Sequence, residues 1–110
     1  MITETLSTYL HTQGVFNEEG VLVAIGGLNK DPFSNEQSIG RVRRFYVSKK
    51  YRRNGIGKLL IKKIIDEAKR DYKILVLHTD TEQAGKFYTS LGFSNESLYP
   101  NSSHFIELKS

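Results

Sequence analysis

Between residues 56 and 70 the apolar positions Ile56, Leu59, Leu60, Ile64 and Ala68, flanked by Ile61 and Ile65, recur at helical spacing with lysines and acids between them. That spacing predicts an amphipathic helix with one face on a core. Ile74, Leu75, Val76 and Leu77 follow without a polar interruption, as in a short strand buried on both faces. Residues 39–47 also read as a strand, with Val42, Phe45 and Val47 among its apolar members and arginines at 41, 43 and 44. The helix between these two strands supplies the crossover that a parallel pair requires. Val15 and Phe16, the polar turn Glu18-Glu19-Gly20 and the apolar residues 21–25 predict a hairpin whose second arm is central. Residues 4–11 put Leu6, Tyr9 and Leu10 on one face of a short helix, and residues 30–36, with Pro32 among turn formers, predict a loop. A second helix is expected over 82–91, stopped by Gly92, and residues 104–108 alternate as a last strand. With 110 residues and no internal repeat or linker, one domain spanning 1–110 is expected.

Composition narrows the class. The chain has no cysteine, which removes disulfides, thiolate metal ligands and a cysteine nucleophile, and no metal is expected. Met1-Ile2-Thr3-Glu4-Thr5 lacks the basic and apolar regions of a signal peptide, and no segment reaches the length of a membrane span, so a cytoplasmic protein without a membrane role is expected. The net charge of +4 is concentrated: Arg41, Arg43, Arg44, Lys49, Lys50, Arg52, Arg53 and Lys58 fall in one span with no acid between Arg41 and Lys63. Such a block suits polyphosphate in a small ligand or a nucleic-acid backbone, or is simply solvated. Aromatic residues in the span are confined to Phe45, Tyr46 and Tyr51, which disfavours nucleic acid.

The densest chemistry lies where the 39–47 strand passes through Tyr51-Arg52-Arg53-Asn54-Gly55-Ile56-Gly57-Lys58 into the first long helix. Helix starts carry unpaired N–H groups and the positive end of the macrodipole. Gly55 and Gly57 permit close main-chain approach, and Arg52, Arg53 and Lys58 add charge. A pyrophosphate is the natural guest, the competing reading being an ordinary strand-to-helix turn. A Walker loop is excluded, because Leu59 stands where its hydroxyl residue belongs. A dinucleotide fingerprint is excluded by Leu60 in place of its third glycine.

Several separated features coincide in order: a strand ending Arg44-Phe45-Tyr46-Val47, the loop Arg52-x-x-Gly55-x-Gly57, an amphipathic helix, a buried strand, and Ala84-x-x-Phe87-Tyr88-x-x-Leu91-Gly92-Phe93. Together, over about residues 15–109, they resemble the GCN5-related N-acetyltransferase (GNAT) family. The resemblance implies an α/β (α+β) fold: a mixed, mostly antiparallel central sheet with a splayed parallel strand pair and flanking helices, shortened at its N-terminal side. It implies acetyl-CoA (coenzyme A) as cosubstrate, with the main chain of Phe45, Tyr46 and Val47 pairing with the pantetheine arm. The amides of Arg53, Asn54, Gly55, Ile56, Gly57 and Lys58 would cradle the pyrophosphate, screened by Arg52 and Lys58. Thr81 stands where many members have an asparagine that fixes the cofactor arm, and Ala84 opens the second motif.

The implied activity is transfer of acetyl to a primary amine of a small molecule or peptide by direct attack. That reaction needs a neutral amine, a stabilised oxyanion and a proton for the thiolate. Tyr88 stands where the family places its proton donor. The family's strand glutamate is missing from residues 39–45, which leaves Glu36, Glu18, His78 or water as the base. Only about a dozen residues precede the Val15 strand, where the family usually builds a wall of the acceptor site. Either the member is minimal, or its start is lost, or a second subunit of a homodimer completes the site. Rival readings are a catalytically idle CoA-binding or regulatory module and a nucleic-acid-binding basic domain. Arg41 and Arg43 share a strand face, most simply a solvated one; an acidic acceptor follows if that face meets the acceptor.

Overall fold

The computed structural model describes residues 5–9, 12–52 and 55–108. Six strands form one sheet in chain order: β1 (Thr5–Tyr9), β2 (Thr12–Phe16), β3 (Leu22–Lys30), β4 (Ile39–Val47), β5 (Ile74–Leu77) and β6 (His104–Glu107). Every neighbouring pair is antiparallel except β4 and β5. Helix α1 (Ile56–Ala68) makes the crossover between those two, and α2 (Glu82–Ser90) joins β5 to the segment before β6. The expected hairpin forms from β2 and β3, its turn closed by the Asn17 side chain, which accepts from the Glu19 and Val21 amides at 2.9 and 3.0 Å.

One expectation is corrected: residues 5–9 are a strand rather than part of a helix over 4–11. Thr5, Ser7, Thr8 and Tyr9 suit a pleated edge, and the segment pairs with β2 from Thr5↔Phe16 to Tyr9↔Thr12. A helix of two turns is marginal by itself, so the hydrogen-bond ladder outweighs its weak apolar face. Glu4, Leu10 and His11 lie outside the described residues. The two helices end slightly earlier than the expected bounds at residues 70 and 91, at Ala68 and Ser90.

Both helices pack on one face of the sheet. Ile56, Leu60, Ile61, Ile64 and Ala68 of α1 are buried against Val15, Val23, Ala24, Leu28 and Val42, with Leu75, Leu77, Tyr88 and Phe93 extending the same core. Leu59, counted among the apolar positions of the helix, is instead 46% exposed. Gly26 lets α1 sit close: a Cβ there would meet Ile64 Cδ1 at 2.8 Å. On the opposite face Ile39, Val76 and Phe105 make a smaller cluster with Ile74 and Tyr99.

Arg41 belongs to that second face and is not solvated. Its side chain is 7% exposed, its Nε donates to Asp31 Oδ1 at 2.9 Å, and its other nitrogens donate to the carbonyls of Asn101 (2.8 Å) and Pro100 (2.9 Å). The Phe33 ring covers the guanidinium at 4.9 Å. A charge without water is tolerated only when it is paired and hydrogen-bonded, and the arrangement ties the loop before β4 to the loop before β6. Arg43 shares the face with Arg41, since their partners are Gly27 and Asn29, and is exposed.

The splay expected of the parallel pair is present. β4 and β5 pair at Ile39↔Ile74, Gly40↔Leu75 and Arg41↔Val76 and no further, although β4 continues to Val47. Between Gly27↔Arg43 and Ile25↔Tyr46 the register slips, so Gly26 alone faces Arg44 and Phe45. Arg44 takes the left-handed conformation, φ 52°. This is a β-bulge, which bends a strand and strengthens its twist. It lies just past the last β4–β5 pair.

Candidate active site

The parting strands open a cleft of about 1080 Å³ bounded by the end of β4, the start of α1, the end of β5 and one side of α2. Of the residues singled out from the sequence, Phe45, Tyr46, Val47, Arg52, Gly55, Gly57, Lys58, Thr81, Ala84 and Tyr88 all line it. Ile56 is buried beneath the helix start at 1% exposure. Arg53 and Asn54 lie outside the described residues.

The first turn of α1 is built to receive negative charge. Gly55 is its N-cap in the left-handed conformation, φ 80°, with no side-chain cap and no acid in the first turn. The first helical bond runs from the Leu59 amide to the Gly55 carbonyl. Among the described residues nothing accepts from the Ile56, Gly57 or Lys58 amides. A non-glycine residue in this conformation costs about 1–2 kcal/mol, so Gly55 is required by the turn. Gly57 serves packing as well as access, because a Cβ there would stand 3.3 Å from Phe87 and 3.4 Å from Val47. Arg52 folds back on the strand: its Nε donates to the Val47 carbonyl at 3.1 Å and its guanidinium lies 5.8 Å from the Tyr46 ring.

Across the cleft α2 begins at Thr81, whose hydroxyl oxygen accepts from the Ala84 amide at 3.1 Å. Such a cap is worth about 1 kcal/mol, and it leaves the hydroxyl proton of Thr81 free to donate. Tyr88 sits one helix face inward, 7% exposed. Its ring meets Phe45, Phe87 and Phe93 edge-on at centroid distances of 5.9, 5.2 and 5.7 Å, a geometry that aromatic quadrupoles favour. Burial pushes the phenol up to about 12. Beside it, His104 of β6 is buried, with Nδ1 2.7 Å from Ser103 Oγ and Nε2 without a hydrogen-bond partner. Burial lowers the His104 pKa and His78 lowers it further.

Among the described residues the cleft lining is cationic: Arg44, Arg52 and Lys58 are present and no aspartate or glutamate is. Of the candidate bases, His78 lines the cleft, whereas Glu18 lies in the β2–β3 turn and Glu36 in the exposed loop before β4. Sequence reasoning missed the bulge at Arg44, which no local signal marks, and Asp80, whose carboxylate is 2.8 Å from His78 Nε2. The His78-x-Asp80 spacing was the available signal for the latter. Among the described residues no cluster of His, Cys, Asp or Glu is placed to hold a metal ion, and no helix is long and apolar enough to cross a membrane.

A family model described as the acetyltransferase (GNAT) domain matches residues 12–95. Among solved structures, the chain is similar to a protein from Exiguobacterium sp. 255-15 assigned as an acetyltransferase. They share 34% identity and a TM-score of 0.77 over 87% of this chain and 61% of that one. An acetyltransferase of the GNAT family from Staphylococcus aureus Mu50 matches with a TM-score of 0.75 and 24% identity, over 89% of this chain and 67% of that one. A GNAT family N-acetyltransferase from Escherichia coli, solved in complex with CoA, matches with a TM-score of 0.71 and 16% identity, over 89% and 58% of the two chains. The last two likenesses are of fold. The chain thus spans about 61% of the length of the Exiguobacterium protein.

Proposed function

This chain belongs to the GNAT acetyltransferase family, and from that premise we propose that it moves an acetyl group from acetyl-CoA to a primary amine of a small molecule or peptide by direct attack. The observation that carries the reading is the cleft between the parted β4 and β5, with the uncapped start of α1 at one end and the Tyr88 phenol in its wall. The described residues fit the cosubstrate: open amides and lysine for its phosphates, a strand edge for its arm, and no carboxylate among them to repel it. When bound, acetyl-CoA supplies an acetyl group activated as a thioester.

In this reading the main chain of Phe45, Tyr46 and Val47 receives the pantetheine arm as an added strand. The amides of Gly55, Ile56, Gly57 and Lys58, continued by Arg53 and Asn54, hold the pyrophosphate. Arg52 and Lys58 screen its charge, the Thr81 hydroxyl donates to the arm, and Ala84 leaves room beside it. Tyr88, raised to about 12, keeps its proton throughout the physiological range. It acts first as a hydrogen-bond donor to the leaving sulfur, and the desolvation that weakens it as an acid would also raise the basicity of a thiolate beside it.

The test is calorimetry with acetyl-CoA followed by thiol release over a series of amines, polyamines, amino acids and peptides. Binding with amine-dependent release is expected. Firm binding without release for any amine would replace the transferase by a CoA-binding module, and absence of binding would defeat both.

A further inference from the structure

An amine is protonated near neutral pH and attacks only after losing that proton. Among the described residues the cleft lining offers no carboxylate to take it. His78 is the first residue beyond β5 and lines the cleft beside Leu77 and Thr79, where β5 has parted from β4. Its Nε2 lies 2.8 Å from Asp80 Oδ1. A carboxylate only accepts, so this contact asks for a proton on Nε2; in a neutral imidazole the lone pair then lies at Nδ1. A histidine whose tautomer is held by a carboxylate is the arrangement that serves as base in nucleophilic transfer generally. Half of the His78 side chain is exposed, which gives the collected proton a way out to water.

We propose that His78, held in its Nε2–H form by Asp80, is the catalytic base that deprotonates the acceptor amine; this rests on the acetyltransferase reading. The amine proton passes to Nδ1 and then to water. The amine nitrogen bonds to the acetyl carbon as the carbon–sulfur bond breaks; Tyr88 passes its phenol proton to the departing sulfur and is reprotonated from water, while the second proton of the attacking nitrogen leaves to water by way of His78. Among the described residues, Asp80 in its own loop contacts His78, His104 on β6 interacts with it electrostatically, and Arg44 on β4 and Tyr88 on α2 line the same cleft.

The experiment compares two acceptors with the wild-type protein and His78→Ala at neutral pH, by thiol release from acetyl-CoA. Ethanolamine is protonated there and needs a base; hydroxylamine is already neutral and does not. His78→Ala is expected to lower the ethanolamine rate by about 100-fold and the hydroxylamine rate by less than about threefold, with Asp80→Asn in between on ethanolamine. Equal losses with both acceptors, or no loss with either, overturn the proposal. A long-range 1H–15N spectrum of the labelled protein decides independently of turnover. His78 protonated on Nε2, and mixed between tautomers in Asp80→Asn, is expected; the Nδ1–H form in the wild-type protein overturns the assignment. If the wild-type protein acetylates no amine of the series while the spectrum shows the Nε2–H form, the transferase reading has failed and the dyad geometry has not.

Discussion

Arg41 and Arg44 lie three residues apart on β4 and live in different media. Arg41 is flanked by β3 and β5, cut off from water, and matched by Asp31, two carbonyls and an aromatic face. Arg44 sits in the bulge, exposed, with β5 no longer beside its strand, and lines an open cleft. The difference teaches that the parting of the strands sets what a charge is for. Where the sheet is closed a cation must be neutralised by the protein, and it then holds loops together. Where the sheet opens the cations face an open cleft, and in the proposed reading their field is offered to the phosphates of acetyl-CoA.

Breaking the closed side should have the largest effect. Asp31→Ala leaves a buried guanidinium without its counter-charge, and a loss of about 3–5 kcal/mol is expected, read as a lower urea midpoint. On the open side Tyr88→Phe should leave folding and acetyl-CoA affinity nearly intact while turnover falls about 100-fold; equal losses in turnover and affinity would make Tyr88 a packing residue only. Gly57→Asp brings both bulk against Phe87 and a negative charge to the helix start, and should weaken acetyl-CoA binding about tenfold or more by calorimetry, equivalent to about 1.4 kcal/mol.

The smallest effect concerns the boundary between the two regions, at His104. Its pKa is lowered in the fold, so below the ordinary value of 6.5 the unfolded chain binds more protons than the native one. Stability must therefore fall as pH drops through and below 6.5. A melting temperature that declines over that window, with a shallower decline in His104→Gln, is expected; an unchanged slope in the variant would place the acid sensitivity elsewhere.

Much of the molecule was legible from spacing. Ile56, Leu60 and Ile64 mark the buried stripe of α1, Ile74 to Leu77 mark β5, and Gly55 marks the left-handed turn, because each signal is local. Residues 4–11 misled because a weak helical face says nothing of an edge waiting to be paired. Arg41 looked solvated because Asp31, Pro100 and Asn101 are distant in sequence, the last by 60 positions. The three candidate bases could not be separated for the same reason, since only the folded sheet brings His78 into the cleft and keeps Glu18 and Glu36 out of it.

By itself the sequence determined the periodic elements, the glycine-bearing loop with its cations, and the aromatic pair that closes the second motif. These follow from the stereochemistry of neighbouring residues and the period of burial. Only the tertiary structure decided where β4 leaves β5, which arginine is sealed and which is free, and which histidine reaches the cleft. Those outcomes depend on register and on matching charge across the chain, and register is a property of paired strands that no single segment carries.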